Sequence, residues 1–240
     1  MATGKMNTEK TNSSRTSLPK IILTVFYLLL FPVMILLLSG DWFWPEGWIF
    51  SSWFMLLCIT CIIYLYRYNP ALLAERYKTK ADNQAGWDRY FVVIIQISFL
   101  GWIVVMPLDA KRYEWTSAFP VWLEVIGMTL LLFSAFFFFR SYKDNSFLSP
   151  LVRIQTERQH EVVSTGVYGF VRHPMYLAGV LLFFGTPMLL GSLYGILLGL
   201  VFMLTIMGRI IGEEKLLKKD LEGYNAYTGK VKYRLIPFIW

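Results

Sequence analysis

Apolar stretches as long as a bilayer is thick recur along this chain, and they constrain its fold more than any other feature. Residues 21–38, 48–66, 90–108 and 119–139 each form such a stretch. A hydrocarbon core about 30 Å thick needs around 20 apolar residues per helix, so all four are read as transmembrane helices. A fifth apolar block, residues 176–211, is interrupted by Gly185, Pro187 and the pair Gly191 and Ser192. It predicts a hairpin of two short helices, each about 16 residues and hence near 25 Å long. Gly191, Gly195 and Gly199 recur every fourth residue on one helix face, a pattern that lets helices approach closely. The expected fold class is therefore an all-α integral membrane protein. It has four transmembrane helices plus a C-terminal helical hairpin, with a polar loop and tail on the cytoplasmic side.

Composition agrees. Only 16% of residues are charged while 56% are hydrophobic, against about 25% charged in soluble domains. A cytosolic enzyme, a disordered protein and a secreted disulfide scaffold are excluded. The net charge of +7 is read as basic loops facing anionic lipid, not as a nucleic-acid footprint. Lys and Arg alternate along the chain. Four lie before residue 21, none in residues 39–47, five in 67–89, and two in 109–117 balanced by Asp109 and Glu114. Five more lie in 140–175 and seven in 209–240. This places both termini and both long polar stretches in the cytoplasm, the membrane being the plasma or inner membrane of a prokaryote or the endoplasmic reticulum of a eukaryote. Trp42, Trp44 and Trp48 suit an interfacial belt on the opposite side.

Cys58 and Cys61 form C-x-x-C, but inside an apolar run and without further ligands. They are read as small apolar residues of a span, neither redox-active nor metal-binding. The first apolar run is too long for a signal-peptide core and is expected to be retained. No lipidation motif is present. The Ser/Thr/Asn-rich segment within residues 1–20 is expected to be a disordered cytoplasmic tail. Residues 21–149 then form the four spans with their loops, and residues 150–240 carry the chemistry.

That chemistry gathers in two stretches which the hairpin returns to one side of the membrane. The first holds Gln155, His160, Glu161, Thr165-Gly166-Val167-Tyr168 and Arg172-His173-Pro174-Met175-Tyr176. Gly166 suits a tight turn and His173 before Pro174 favours extended backbone, so the segment is a shaped loop. It offers amides, aromatic faces and imidazoles to a polar ligand, or anchors at lipid headgroups. The second holds Arg209, Glu213 and Glu214, then Tyr224, Tyr227 and Val231-Lys232-Tyr233-Arg234-Leu235-Ile236-Pro237. Arg209 and Glu213 share a helix face as an i,i+4 pair, and a guanidinium emerging from an apolar helix calls for a partner or a task. Walker, G-x-G-x-x-G, HExxH and G-x-S-x-G motifs are absent, as is any metal-ligand set.

The order Gly166-Val167-Tyr168-x-x-x-Arg172-His173-Pro174-x-Tyr176, a glycine-broken hairpin, Arg209-x-x-x-Glu213-Glu214 and a Tyr-rich ending resembles the isoprenylcysteine carboxyl methyltransferase family. The related membrane phospholipid methyltransferases are similar too. The resemblance covers residues 155–240 and implies S-adenosylmethionine as cofactor. It implies that Gln155, His160, Glu161, Val162, Val163, Tyr168, His173, Pro174, Met175, Tyr176 and Glu213 contact that cofactor and that Arg209 faces the substrate. Arg209 and Glu213 would be the catalytic pair. The spacer between Gln155 and His160 is shorter than the family pattern.

Methyl transfer from a sulfonium needs proximity and exclusion of water more than covalent catalysis. Glu213 could hold the cofactor's cationic end and Arg209 could orient a carboxylate. The acceptor expected is a prenylcysteine-like or other lipophilic carboxylate. A phospholipid amine and a small thiol are the alternatives. A sterol-type NADPH reductase is a further alternative, against which no cysteine follows Cys61. The partners implied are the bilayer and the lipophilic acceptor, with no nucleic acid and no obligate protein partner.

Overall fold

A computed structural model describes residues 17–240 and is helical throughout, without strands among the described residues. The expected tail, residues 1–20, lies mostly outside the described residues. The helices are α1 (Leu18–Ser39), α2 (Pro45–Tyr68), the short α3 (Pro70–Arg76), α4 (Asp88–Pro107), α5 (Val121–Asp144), α6 (Pro174–Leu190), α7 (Leu193–Asp220) and the short α8 (Tyr224–Lys230). Five of these, α1, α2, α4, α5 and α7, are long and apolar enough to cross a membrane, and α6 is a shorter apolar helix. The fold is thus all-helical and ends in a C-terminal hairpin, with several apolar helices of the kind expected in an integral membrane protein.

Local chemistry sets most boundaries. Proline opens α2, α3 and α6, where its missing N–H has no helical partner to lose. The hairpin turns at Gly191, which takes the left-handed conformation (φ 80°), and Ser192 caps α7 by accepting from Gly195 N at 2.9 Å. Gly185 and Pro187 do not break the helix but lie inside α6. Pro187 leaves the carbonyl of Phe183 without its i+4 donor. The indole Nε1 of Trp102 on α4 donates to that oxygen instead, at 3.3 Å. The second arm of the hairpin is 28 residues long, not 16, because Glu213-Glu214-Lys215-Leu216-Leu217-Lys218-Lys219 are good helix formers and carry the helix beyond the apolar zone.

Helices α5 and α6 pack along much of their length through Gly127 and Gly185; a Cβ on Gly127 would lie 2.7 Å from Gly185 O. Gly195 and Gly199 bring α7 equally close to α6, and a Cβ on Gly199 would lie 2.8 Å from Phe183 O. Gly191 is the turn itself. Trp44 is buried in the core, whereas Trp42 and Trp48 are about half exposed, so only the latter two suit an interface.

The α4 N-terminus, the α5 C-terminus, the α6 N-terminus and the α7 C-terminus share one end of the bundle, together with residues 145–173 and the tail after α8. At the other end, a π-turn (Leu108–Arg112) follows α4 and presents the fully buried Asp109. Its carboxyl group accepts from Thr116 N and Oγ1, Ser192 Oγ (2.6 Å) and Tyr194 N, tying this loop to the hairpin turn.

Candidate active site

Twenty-nine residues, 145–173, cross the bundle end with no α-helix, only 3-10 turns at Thr156–Arg158 and Gly166–Gly169. Ion pairs hold this loop. Arg153 sits in a fork against the buried Glu75 of α3, with Nη2 2.9 Å from both carboxylate oxygens, and reaches Glu157 at 2.6 Å. Burial pushes the Glu75 pKa up, but donors from Lys78, Ser149 and Arg153 outweigh it and hold the group below its ordinary value. Gly166 turns with φ 60°, where a Cβ would collide with the carboxylate of Asp144, and Asp144 accepts from Val167 N at 3.0 Å.

The end of α7 supplies two neighbouring glutamates with different partners. Glu214 is buried and takes Arg172 Nε at 2.6 Å and Arg234 Nε at 2.9 Å, with His173 Nε2 3.3 Å away. It binds loop, helix and tail into one piece. Arg172 also donates to Val231 O and Lys232 O, and the backbone N–H groups of Arg172 and His173 donate to Tyr233 O and Arg234 O. Glu213 stays partly exposed and accepts from Tyr176 Oη at 2.6 Å. Arg209, one turn earlier, donates through Nε to Asp88 Oδ1 at 2.8 Å and through Nη2 to Pro150 O at 2.7 Å. Its guanidinium lies 5.6 Å from the Tyr176 ring centroid, a cation–π contact. Among the described residues Nη1 has no hydrogen-bond partner.

These groups surround a cavity of about 550 Å³. Its polar end is lined by His160, Glu161, Val162, Val163, Tyr168, His173, Met175, Tyr176, Arg209, Glu213, Tyr224 and Tyr227. Its apolar end, between α4, α5, α6 and α7, is lined by Val92, Ile95, Phe99, Phe138, Phe183, Phe202 and Ile206 among others. Twelve residues were singled out from sequence, and ten of them line this one cavity. Pro174 lies just outside the lining as the first residue of α6. Gln155 is fully buried away from it, its amide donating to Phe147 O and accepting from Arg158.

The His160 ring stacks on Phe147 (centroids 4.8 Å apart) and its Nδ1 accepts from Gln155 N. Burial, with Arg158 and Arg153 nearby, lowers its pKa to about 4, so the ring is neutral at pH 7. Burial raises the phenols of Tyr168 and Tyr224, and both hydroxyls are buried at the cavity wall without a hydrogen-bond partner among the described residues. No cluster among the described residues could hold a metal ion.

Sequence reasoning missed Asp88, which meets Arg209 from 121 residues away. It also missed Glu75, Arg153 and Asp144, each of which looks like an ordinary surface charge in sequence. The role of Glu214 could have been found: an adjacent glutamate on a helix faces about 100° away from Glu213, so the pair cannot serve one ligand.

Comparison with known proteins gives a consistent picture. The profile of the family described as phospholipid methyltransferase matches residues 122–222. The chain is 28% identical over 156 residues to protein-S-isoprenylcysteine O-methyltransferase B of Arabidopsis thaliana, covering 63% of this chain and 76% of that protein. In fold it matches the eukaryotic intramembrane Ras methyltransferase, isoprenylcysteine carboxyl methyltransferase, solved without a monobody. That match has a TM-score of 0.50 and 20% identity, over 93% of this chain and 88% of the other. All three likenesses are to methyltransferases, two of them in sequence and the third in fold.

Proposed function

We propose that this chain, a multi-pass membrane methyltransferase of that kind, transfers a methyl group from S-adenosylmethionine to the carboxylate of a prenylcysteine-like, lipophilic acceptor. The observation that carries the reading is one cavity whose polar end holds Glu213, Tyr176 and Arg209 and whose apolar end lies among the spans. A ligand with a charged head and a hydrocarbon body would be bound across that boundary.

The residues present fit the cofactor. Glu213 and Glu161 offer anions to its cationic groups, and His173 and Tyr176 offer stacked aromatic faces. When bound, S-adenosylmethionine supplies a methyl group on a positively charged sulfur that is open to in-line attack. The protein's own part is positioning. Asp88 and Pro150 fix Arg209 by Nε and one Nη2 hydrogen, leaving the Nη1/Nη2 edge to hold a carboxylate by two parallel hydrogen bonds. A carboxylate is already ionised at neutral pH, so no general base is required. The apolar walls exclude water and keep nucleophile and methyl group together. Residues 150–240 act as the catalytic segment, residues 21–149 as the spanning scaffold, and the site faces the cytoplasm, as the basic loops on that side support.

Isothermal titration of S-adenosylmethionine into detergent-purified protein tests the reading, with Glu213→Gln and Arg209→Ala as variants. Saturable binding is expected, lost in Glu213→Gln and retained in Arg209→Ala, while methylation of a prenylcysteine carboxylate is lost in both. Binding of NADPH in place of S-adenosylmethionine would overturn it, and equal loss of cofactor affinity in both variants would overturn the division of roles.

A further inference from the structure

One arginine of the cavity wall has no counter-charge. Arg76, Arg153, Arg172 and Arg209 all line the cavity. Arg153 is paired with Glu75, Arg172 with Glu214 and Arg209 with Asp88. Arg76, half-buried in the last turn of α3, forms no ion pair among the described residues. Its guanidinium lies 5.6 Å from the Tyr142 ring centroid. The adjacent carboxylate, Glu75, is already taken by Arg153, Lys78 and Ser149. Arg158, over the ring of Phe147, also lacks an acidic partner among the described residues and donates to Gln155 Oε1. Against the cations Arg76, Lys78, Arg153 and Arg158 stand only the carboxylates Glu75 and Glu157, so this corner of the site carries excess positive charge. A cation lining a cavity without a counter-charge calls for an anion from the ligand.

We infer that Arg76 anchors the carboxylate at the amino-acid end of the cofactor. The inference rests on the reading above, in which S-adenosylmethionine binds at the polar end of the cavity. Charge matching supports it first. The cofactor carries two cationic groups, a sulfonium and an ammonium, and one anion, a carboxylate. The cavity meets them with Glu161 and Glu213, neither of them in an ion pair among the described residues, and with the single unpaired guanidinium of Arg76. The acceptor's carboxylate is claimed by Arg209, which leaves the cofactor to neutralise Arg76. Position supports it second. Tyr142, beneath the Arg76 guanidinium, lies one turn before Asn145, which lines the same cavity. Asn145 Oδ1 accepts from Phe147 N at 2.7 Å, and its amide lies beside the Tyr168 hydroxyl. Phe147 stacks on His160. The corner thus adjoins Tyr168 and His160, both expected at the cofactor. A guanidinium there holds a carboxylate by two parallel hydrogen bonds, and the surrounding positive charge strengthens the attraction.

The test is isothermal titration of S-adenosylmethionine and of decarboxylated S-adenosylmethionine into the full chain in detergent, with Arg76→Gln and Arg76→Lys as variants. The wild type is expected to bind the decarboxylated compound at least about tenfold more weakly, the scale of a hydrogen-bonded contact to a charged group. Arg76→Gln should weaken S-adenosylmethionine by a similar factor while leaving the decarboxylated compound within about twofold, and Arg76→Lys should recover part of the loss. Equal weakening of both compounds in Arg76→Gln would overturn the inference, because damage to the fold does not distinguish them. Unchanged affinity for S-adenosylmethionine would overturn it as well, and a raised KM for the acceptor in that variant would assign Arg76 to the acceptor instead. If Arg76→Gln fails to fold, Arg76→Lys and the wild type decide, and equal affinity of the wild type for the two compounds would overturn the subsite. Wild-type protein that binds neither compound would overturn the methyltransferase reading itself.

Discussion

The ion pair between Asp88 and Arg209 permits a double-mutant test of how the bundle end is built. Asp88 is fully buried and accepts from three donors: Arg209 Nε at 2.8 Å, Gln84 Nε2 at 2.9 Å and Val152 N at 2.9 Å. Arg209 is only 7% exposed. Asp88→Leu leaves a guanidinium buried with a single carbonyl, and Arg209→Met leaves a carboxylate buried with two neutral donors. Breaking a buried pair from one side costs about 3–5 kcal/mol. At about 2–4 °C per kcal/mol for a chain of this size, each variant should lose roughly 6–20 °C of apparent Tm. The double variant Asp88→Leu/Arg209→Met removes both charges, which is often nearly neutral in itself. It still strips the acceptor from Gln84 and Val152, at about 1–3 kcal/mol for each group left unsatisfied. It should therefore be no less stable than the worse single variant, with a coupling of at least about 2 kcal/mol. Unfolding followed by tryptophan fluorescence in detergent reads all three. Losses that simply add, to within about 0.5 kcal/mol, would refute the claim that the two side chains act as one unit.

Two further outcomes follow from the site. Glu214→Gln should destabilise the protein by about 3–5 kcal/mol, since Arg172 and Arg234 lose a buried counter-charge. Limited proteolysis should then cut within residues 231–240, while Glu213→Gln, whose amide oxygen can still accept from Tyr176, should leave the tail protected. Lowering pH should destabilise the fold through His160. Its folded pKa of about 4 lies below the unfolded value of about 6.5, so the unfolded chain binds a proton that the folded ring refuses. Stability attributable to this group is full above pH 6.5 and is lost as pH falls toward 4. Comparing apparent Tm at pH 7.5 and pH 5 for the wild type and His160→Gln checks this, and an equal acid-induced fall in both would rule the group out.

Much of the scaffold was legible in sequence because spans obey a length rule that tertiary packing cannot change. The hairpin turn was legible too, but Gly185 and Pro187 were misread as breaks. Their effect depends on whether another helix can fill the gap, and Trp102 on α4 does so for the carbonyl that Pro187 frees. The end of α7 was placed too early because hydropathy reports the edge of the lipid, whereas the helix ends only where its backbone hydrogen bonds stop. At the site, residues grouped in two sequence stretches converge on one cavity. Asp88 and the loop anchor Glu75 were not legible, since each acquires its role from a partner more than 70 residues distant. The two arms of the hairpin set the Phe183 and Phe202 stack, and no local pattern marks it.

At the end of the bundle away from the cavity's polar groups, the carboxyl group of Asp109 spends its lone pairs on four donors from the loop and the hairpin turn. The Asp109 knot thus fastens the loop after α4 and the hairpin turn to each other, so the two helix pairs cannot part at that end without unmaking four hydrogen bonds at once.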